Sequence, residues 1–122
     1  MKTRQEMKRE YKERPKPAGI FLVRNTVNGK VLLGSSKNLE GPLNRNKFLL
    51  SIGRHPIEEL QKDWNLQGAD TFTFEIAEVV NVRNDPQFSL DDELTLLEMI
   101  WWEKLRPVGE GGYNLNEKIR QV

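Results

Sequence analysis

The stretch from Ala18 to Gly34 constrains this chain more than any other. Ile20-Phe21-Leu22-Val23 and Val31-Leu32-Leu33 are nearly continuous apolar runs of strand length, separated by Asn28-Gly29. Asn-Gly tolerates positive φ and is a strong β-hairpin turn signal. A hairpin with one wet face would alternate apolar and polar residues; this one does not, which predicts that it is covered on both faces. The chain, 122 residues long, has the length for a single core of that kind.

The covering elements are legible further on. Gly41-Pro42 predicts a helix start, because proline in the first turn has no needed donor to lose. Leu43, Leu49, Leu50 and Ile52 form its buried stripe and Gly53 its stop. His55-Pro56 predicts the opening of a second helix, with Ile57, Leu60 and Trp64 at helical spacing and an end near Gly68. Thr71 to Val79 alternates polar and apolar residues, which predicts a third, half-exposed strand. Ser89 and Asp92 make a capping box ahead of a helix with Leu90, Leu94, Leu97, Trp101 and Leu105 on one side. Pro107 and glycines 109, 111 and 112 end it. The order strand, strand, helix, helix, strand, helix predicts an α/β (α+β) domain over residues 18–115, a small three-stranded sheet flanked by helices. Residues 116–122 read as a polar tail. Met7 and Tyr11, four apart, suggest a weakly amphipathic helix over 2–13 that Pro15-Lys16-Pro17 ends.

Composition excludes several classes. The absence of cysteine removes disulfides, thiolate metal sites and a cysteine nucleophile, and a lone histidine removes a multi-histidine zinc site. No apolar run approaches the roughly 20 residues of a membrane span, so no membrane role is expected. The first residues lack the apolar stretch of a signal peptide, which points to the cytoplasm. Net charge is +1, but residues 1–17 hold seven Lys/Arg against three Glu, leaving the rest mildly acidic. That basic arm reads either as a solvated segment or as a phosphate contact.

In order and spacing, several fragments resemble the GIY-YIG nuclease superfamily. Gly19-Ile20-Phe21 stands for Gly-Ile-Tyr and Leu32-Leu33-Gly34 for Tyr-Ile-Gly, followed by Ser35-Ser36-Lys37-Asn38-Leu39. Leu60 to Asn65, then Gly68-Ala69-Asp70 and Phe72 to Glu75, resemble the family's middle segment. Glu98 has the spacing of the metal-binding glutamate, and Gly112-Tyr113-Asn114 matches the closing Gly-Tyr-Asn. The resemblance spans Ala18 to Asn114. It implies metal-dependent phosphodiester hydrolysis of nucleic acid, DNA in the first place. In the family a first-strand tyrosine works with water as general base, a helix arginine stabilises developing charge, and a glutamate holds one divalent ion, magnesium or manganese. Here Phe21 and Leu32 replace both signature tyrosines, and the arginine and helix-histidine positions fall at Pro42 and Asn46. Glu98 and Asn114 are kept, and His55 matches a histidine of homing-type members.

The candidate site therefore consists of Glu98, Arg45 and His55 as chemistry, with Phe21, Leu32, Gly34 and Asn114 lining the implied cleft. Arg45 lies three residues after Pro42, nearly above it on a helix, and either returns a guanidinium to the cleft or stays a surface residue. His55 titrates near neutrality but also suits the N-cap of the second helix. Glu98 borders core positions and needs a partner, either a metal or a hydrogen-bonding group. A single carboxylate suits a magnesium ion that keeps several waters. Arg24, Lys37, Arg45 and Lys47 are the candidate nucleic-acid contacts. Three functions compete: a nuclease with impaired or rebuilt chemistry, a non-cleaving nucleic-acid-binding module, and a protein-interaction scaffold. A homodimer or a partner protein is the expected source of any sequence specificity.

Overall fold

The computed structural model describes residues 16–114; the expected arm helix and the polar tail lie outside them. Strand β1 (Gly19–Asn25) pairs antiparallel with β2 (Val31–Ser36) on one side and β3 (Phe72–Val79) on the other. The sheet order is thus β2-β1-β3, with the most apolar strand in the middle. Between β2 and β3 run α1 (Glu40–Ser51) and α2 (Glu58–Gln67), and α3 (Leu90–Leu105) follows β3.

Alternation along β1 and β2 splits their side chains between two cores, as the hairpin required. Val23 and Leu32 pack with Leu50 of α1, Leu60 of α2, Phe72 and Tyr113 on one face. Ile20, Leu22, Val31 and Leu33 pack with Trp102 of α3 on the other. Ala18, Val80 and Leu94 close the end of the second layer. Trp64 and Trp101 border these cores and Trp102 fills one, so the buried tryptophan of α3 lies one position beyond the expected Trp101.

Several boundaries differ from the sequence reading. The hairpin turn is a four-residue loop between Asn25 and Lys30, with positive φ at Gly29 (79°) and not at Asn28. Asn28 accepts the Lys30 amide through its side chain instead. Strand β2 runs through Gly34 to Ser36 because pairing with β1 continues. Helix α1 begins at Glu40, one residue before Gly41-Pro42. Helix α2 begins only at Glu58, with Ile57 at its N-cap, because Pro56 and the His55 ring occupy the approach. Ser89 caps α3 as expected, accepting the Asp92 amide at 3.3 Å, and Arg106 in the left-handed region (φ 47°) ends it before Pro107.

Candidate functional site

Phe21, Leu32 and Gly34 share the α1–α2 face of the sheet, where Phe21 lies opposite Gly34 and Leu32 opposite Val23. Phe21 and Leu32 are buried. The Phe21 ring rests on Gly34 so closely that a Cβ there would come within 2.4 Å of its Cζ. Hydrocarbon therefore fills the place where hydroxyls are implied, and Gly34 is the hollow that receives the ring.

Glu98 projects from α3, on the opposite layer. It is half-buried, and its carboxylate accepts the Ser35 hydroxyl at 3.0 Å. Two residues back along β2, Asn114 acts as a substitute strand: its Oδ1 accepts the Leu33 amide at 2.7 Å and its Nδ2 donates to the Leu33 carbonyl at 2.8 Å. Tyr113 adds a backbone bond to Val31. Glu98 and Asn114 thus each bond to β2, at Ser35 and Leu33, while Arg45 stands exposed on α1 and bonds to neither. Glu98 and the Ser35 hydroxyl offer one carboxylate and one neutral oxygen. Among the described residues no cluster of three His, Asp or Glu side chains is placed to hold a metal. The donor set therefore does not fit an ion held by the protein alone; magnesium or manganese there would need substrate phosphate and water as its main ligands.

His55 is buried between the two helices. Its Nδ1 accepts the Ile57 amide at 3.0 Å, so the proton sits on Nε2 and is donated to Asn46 Oδ1 at 2.6 Å. Asn46 in turn donates to the Pro42 carbonyl at 2.7 Å, and Gln61 accepts the His55 amide. Both ring nitrogens are engaged in tying the α1–α2 connection. Beside them lies an open recess of about 430 Å³, lined by Gly53, His55, Glu58, Gln61, Lys62, Asn65 and Leu66. Burial lowers the His55 pKa from its usual value near 6.5. The unfolded chain then takes up a proton as pH falls below about 6.5 while the folded ring stays neutral, so folding stability should drop in that window. Urea denaturation at pH 7.5 and 5.5 measures it: the drop should shrink in His55→Gln, and an equal drop in both proteins contradicts the neutral, wedged ring.

The basic candidates do not assemble into one patch. Arg24 pairs with Glu75, diagonally across on β3, at 2.8 Å, and that bond, with a second from Thr73, holds the Glu75 carboxyl below its usual value. Lys37 pairs with Asp91 at 2.9 Å beside the start of α3. Arg83 and Arg106 pair with Glu93 and Glu103 on the same layer. On the other layer, Lys47 reaches over the Phe74 ring at 6.0 Å, and Arg45, Arg54 and Lys62 stand exposed without an ion pair among the described residues. Unpaired positive charge thus collects on the α1–α2 layer.

Comparison with known proteins decides the architecture. No family model matches the sequence, and no curated protein does. Among solved structures, a mutant of the catalytic domain of the intron endonuclease I-TevI matches with a TM-score of 0.64 and 28% identity, over 83% of this chain and 95% of that one. A second structure, the catalytic domain of the homing endonuclease I-TevI, matches with a TM-score of 0.62 and 28% identity, over 82% of this chain and 99% of that one. The chain has the GIY-YIG nuclease fold. On that scaffold Gly34 lies under the Phe21 ring and Asn114 clamps β2.

Sequence reasoning missed one cluster beside the scaffold. Fully buried Asn25 donates to Gln67 (2.7 Å) and to the Tyr113 hydroxyl (2.9 Å), which donates to Asp63 at 2.7 Å. Lys30, paired with Glu59, lies over the Tyr113 ring. Burial, with Asp63 accepting the phenol proton, pushes Tyr113 up to about 12. An asparagine closing a mostly apolar strand was the available signal.

Proposed function

We propose that this chain is a nucleic-acid-binding domain built on the nuclease scaffold, with its inherited hydrolytic chemistry impaired. The observation that carries this reading is the Phe21 ring seated on Gly34 beside Leu32, a cleft floor with no hydroxyl. A general base contributes roughly 10²–10⁴ in rate and one donor to developing charge about 10²–10³. These losses do not multiply cleanly, yet Phe21 and Pro42 remove one of each. A rebuilt centre from Arg45, His55 and Glu98 is the less favoured reading: His55 is locked at both nitrogens, and Arg45 and Glu98 rise from helices on opposite faces of the sheet. Nucleic acid as the partner is supported by the unpaired cations of the α1–α2 layer and by the likeness to an endonuclease catalytic domain. Among the described residues no helix is long and apolar enough to cross a membrane.

Binding through phosphates must weaken with salt by counterion release, about 0.9 in log–log slope per contact on duplex DNA. Fluorescence anisotropy of a labelled 20-base-pair duplex between 50 and 300 mM salt is the test. The double variant Arg45→Ala/Arg54→Ala should bind less tightly, with a slope shallower by about 2 than the parent. Parent binding that ignores salt, or no binding at 50 mM to this duplex or to either of its single strands, contradicts the proposal.

A further inference from the structure

We propose that the outer face of α1 is a stacking platform for an unpaired nucleobase, with Phe48 as the ring that holds it; this rests on the nucleic-acid reading above and narrows it to strands that expose base faces. Leu43, Asn46 and Leu50 point α1 into the first layer, which leaves Phe48 on the opposite ridge. It is 60% exposed and has no ring partner among the described residues. Ile52, one turn on, is 46% exposed and extends the apolar surface. Single exposed apolar residues are ordinary, so the ring alone decides nothing.

Its surroundings decide it. Arg45 lies one turn before Phe48 on the same side of the helix, and Arg54 just past the helix end, where its amide bonds back to the Leu49 carbonyl at 2.9 Å. Both guanidinium groups are exposed and free of ion pairs among the described residues. An apolar protein surface laid on Phe48 and Ile52 would strand these cations against hydrocarbon. A ligand that carries anions at regular intervals and flat rings between them satisfies both, and that is the chemistry of a nucleic-acid strand. Duplex bases present edges and keep their faces stacked, so the face that Phe48 needs is available only on a single strand, a gap or an extrahelical base. The exposed Leu96, Met99 and Ile100 of α3 make the contrasting case, since Asp92 and Glu103 stand among them and the nearby cation, Lys104, is held over the Trp101 ring at 4.6 Å.

The test measures dissociation constants of the full chain, at one salt concentration, for a 20-nucleotide DNA single strand, an RNA single strand of the same sequence, a DNA duplex, and that duplex with a three-nucleotide gap. The parent should prefer the gapped or single-stranded probes to the duplex. Phe48→Ala should weaken those probes roughly ten-fold or more and leave the duplex unchanged, while Phe48→Tyr keeps the preference. The two single strands tell whether DNA or RNA supplies the base. Unchanged thermal melting of both variants shows that the exposed ring is not a folding determinant. Duplex binding intact with no preference for unpaired bases, or a preference indifferent to Phe48→Ala, overturns the platform and leaves the nucleic-acid reading standing. A Phe48→Ala effect on sedimentation but not on nucleic-acid affinity assigns the ring to a protein contact and also overturns it. Failure to bind every probe removes the reading beneath it.

Discussion

Asn25→Leu is expected to lower unfolding free energy by about 3 kcal/mol, a fall in Tm of roughly 10 °C or more. The side chain is fully buried and is the junction of three separate pieces of chain. Its Nδ2 donates to Gln67 at the end of α2 and to Tyr113, and its Oδ1 accepts the Val27 amide that opens the hairpin loop. Leucine has the same branched heavy-atom skeleton, so no large cavity confuses the result. What remains is the desolvation penalty of the Gln67 and Val27 groups left without a partner, each on the order of 1 kcal/mol or more, plus the loss at Tyr113. Tyr113→Phe should cost less, since it removes the phenol along with its bonds and leaves Asn25 paired with Gln67 and Val27. Urea titrations of the two variants check the order. Equal, small losses contradict the role of Asn25 as the junction.

Gly19→Ala should be at least as damaging, by a different route. A Cβ at Gly19 would lie 1.9 Å from the Glu78 carbonyl oxygen and 3.0 Å from the Val79 Cα, both backbone atoms of β3. A side chain could rotate away; a paired strand cannot without breaking the ladder. The crowding arises where the β1–β3 register shifts between Ile20 and Phe21 and brings the strands together. The expected loss is about 2–4 kcal/mol, with β3 exchanging its amide protons faster than α1. A variant as stable as the parent, with unchanged exchange in β3, contradicts this account of the glycine.

The hairpin, the three-stranded sheet and the helical layers were legible because each is written in local chemistry. Continuous apolar strands demanded two covers, Ser89 with Asp92 marked a helix start, and proline and glycine marked the stops. Less was legible where a side chain answers to a distant one. Nothing near His55 in sequence reveals that Asn46 takes its Nε2 proton, so a ring that titrates near neutrality looks equally like a base and a strut. Glu98 needed a partner on polarity grounds, but only packing of α3 on β2 shows that Ser35 supplies a hydroxyl. Arg24 reads as a free cation until β3 brings Glu75 to it on the diagonal. The sequence likewise carries no sign that Phe48 sits on the ridge of α1, because one phenylalanine in a helix of mixed residues is as often buried.

The chemistry of the Phe21–Leu32 floor is tested most directly by incubating the purified full chain with single-stranded, duplex, gapped and branched DNA and with RNA, in magnesium and in manganese, and following the products for hours. With Phe21 and Pro42 at the positions implied for the general base and the arginine, the account predicts complexes without cleavage, at least about 10²-fold below a competent nuclease. Metal-dependent cleavage that vanishes in Glu98→Ala would contradict it and would place a working centre at the edge of β2.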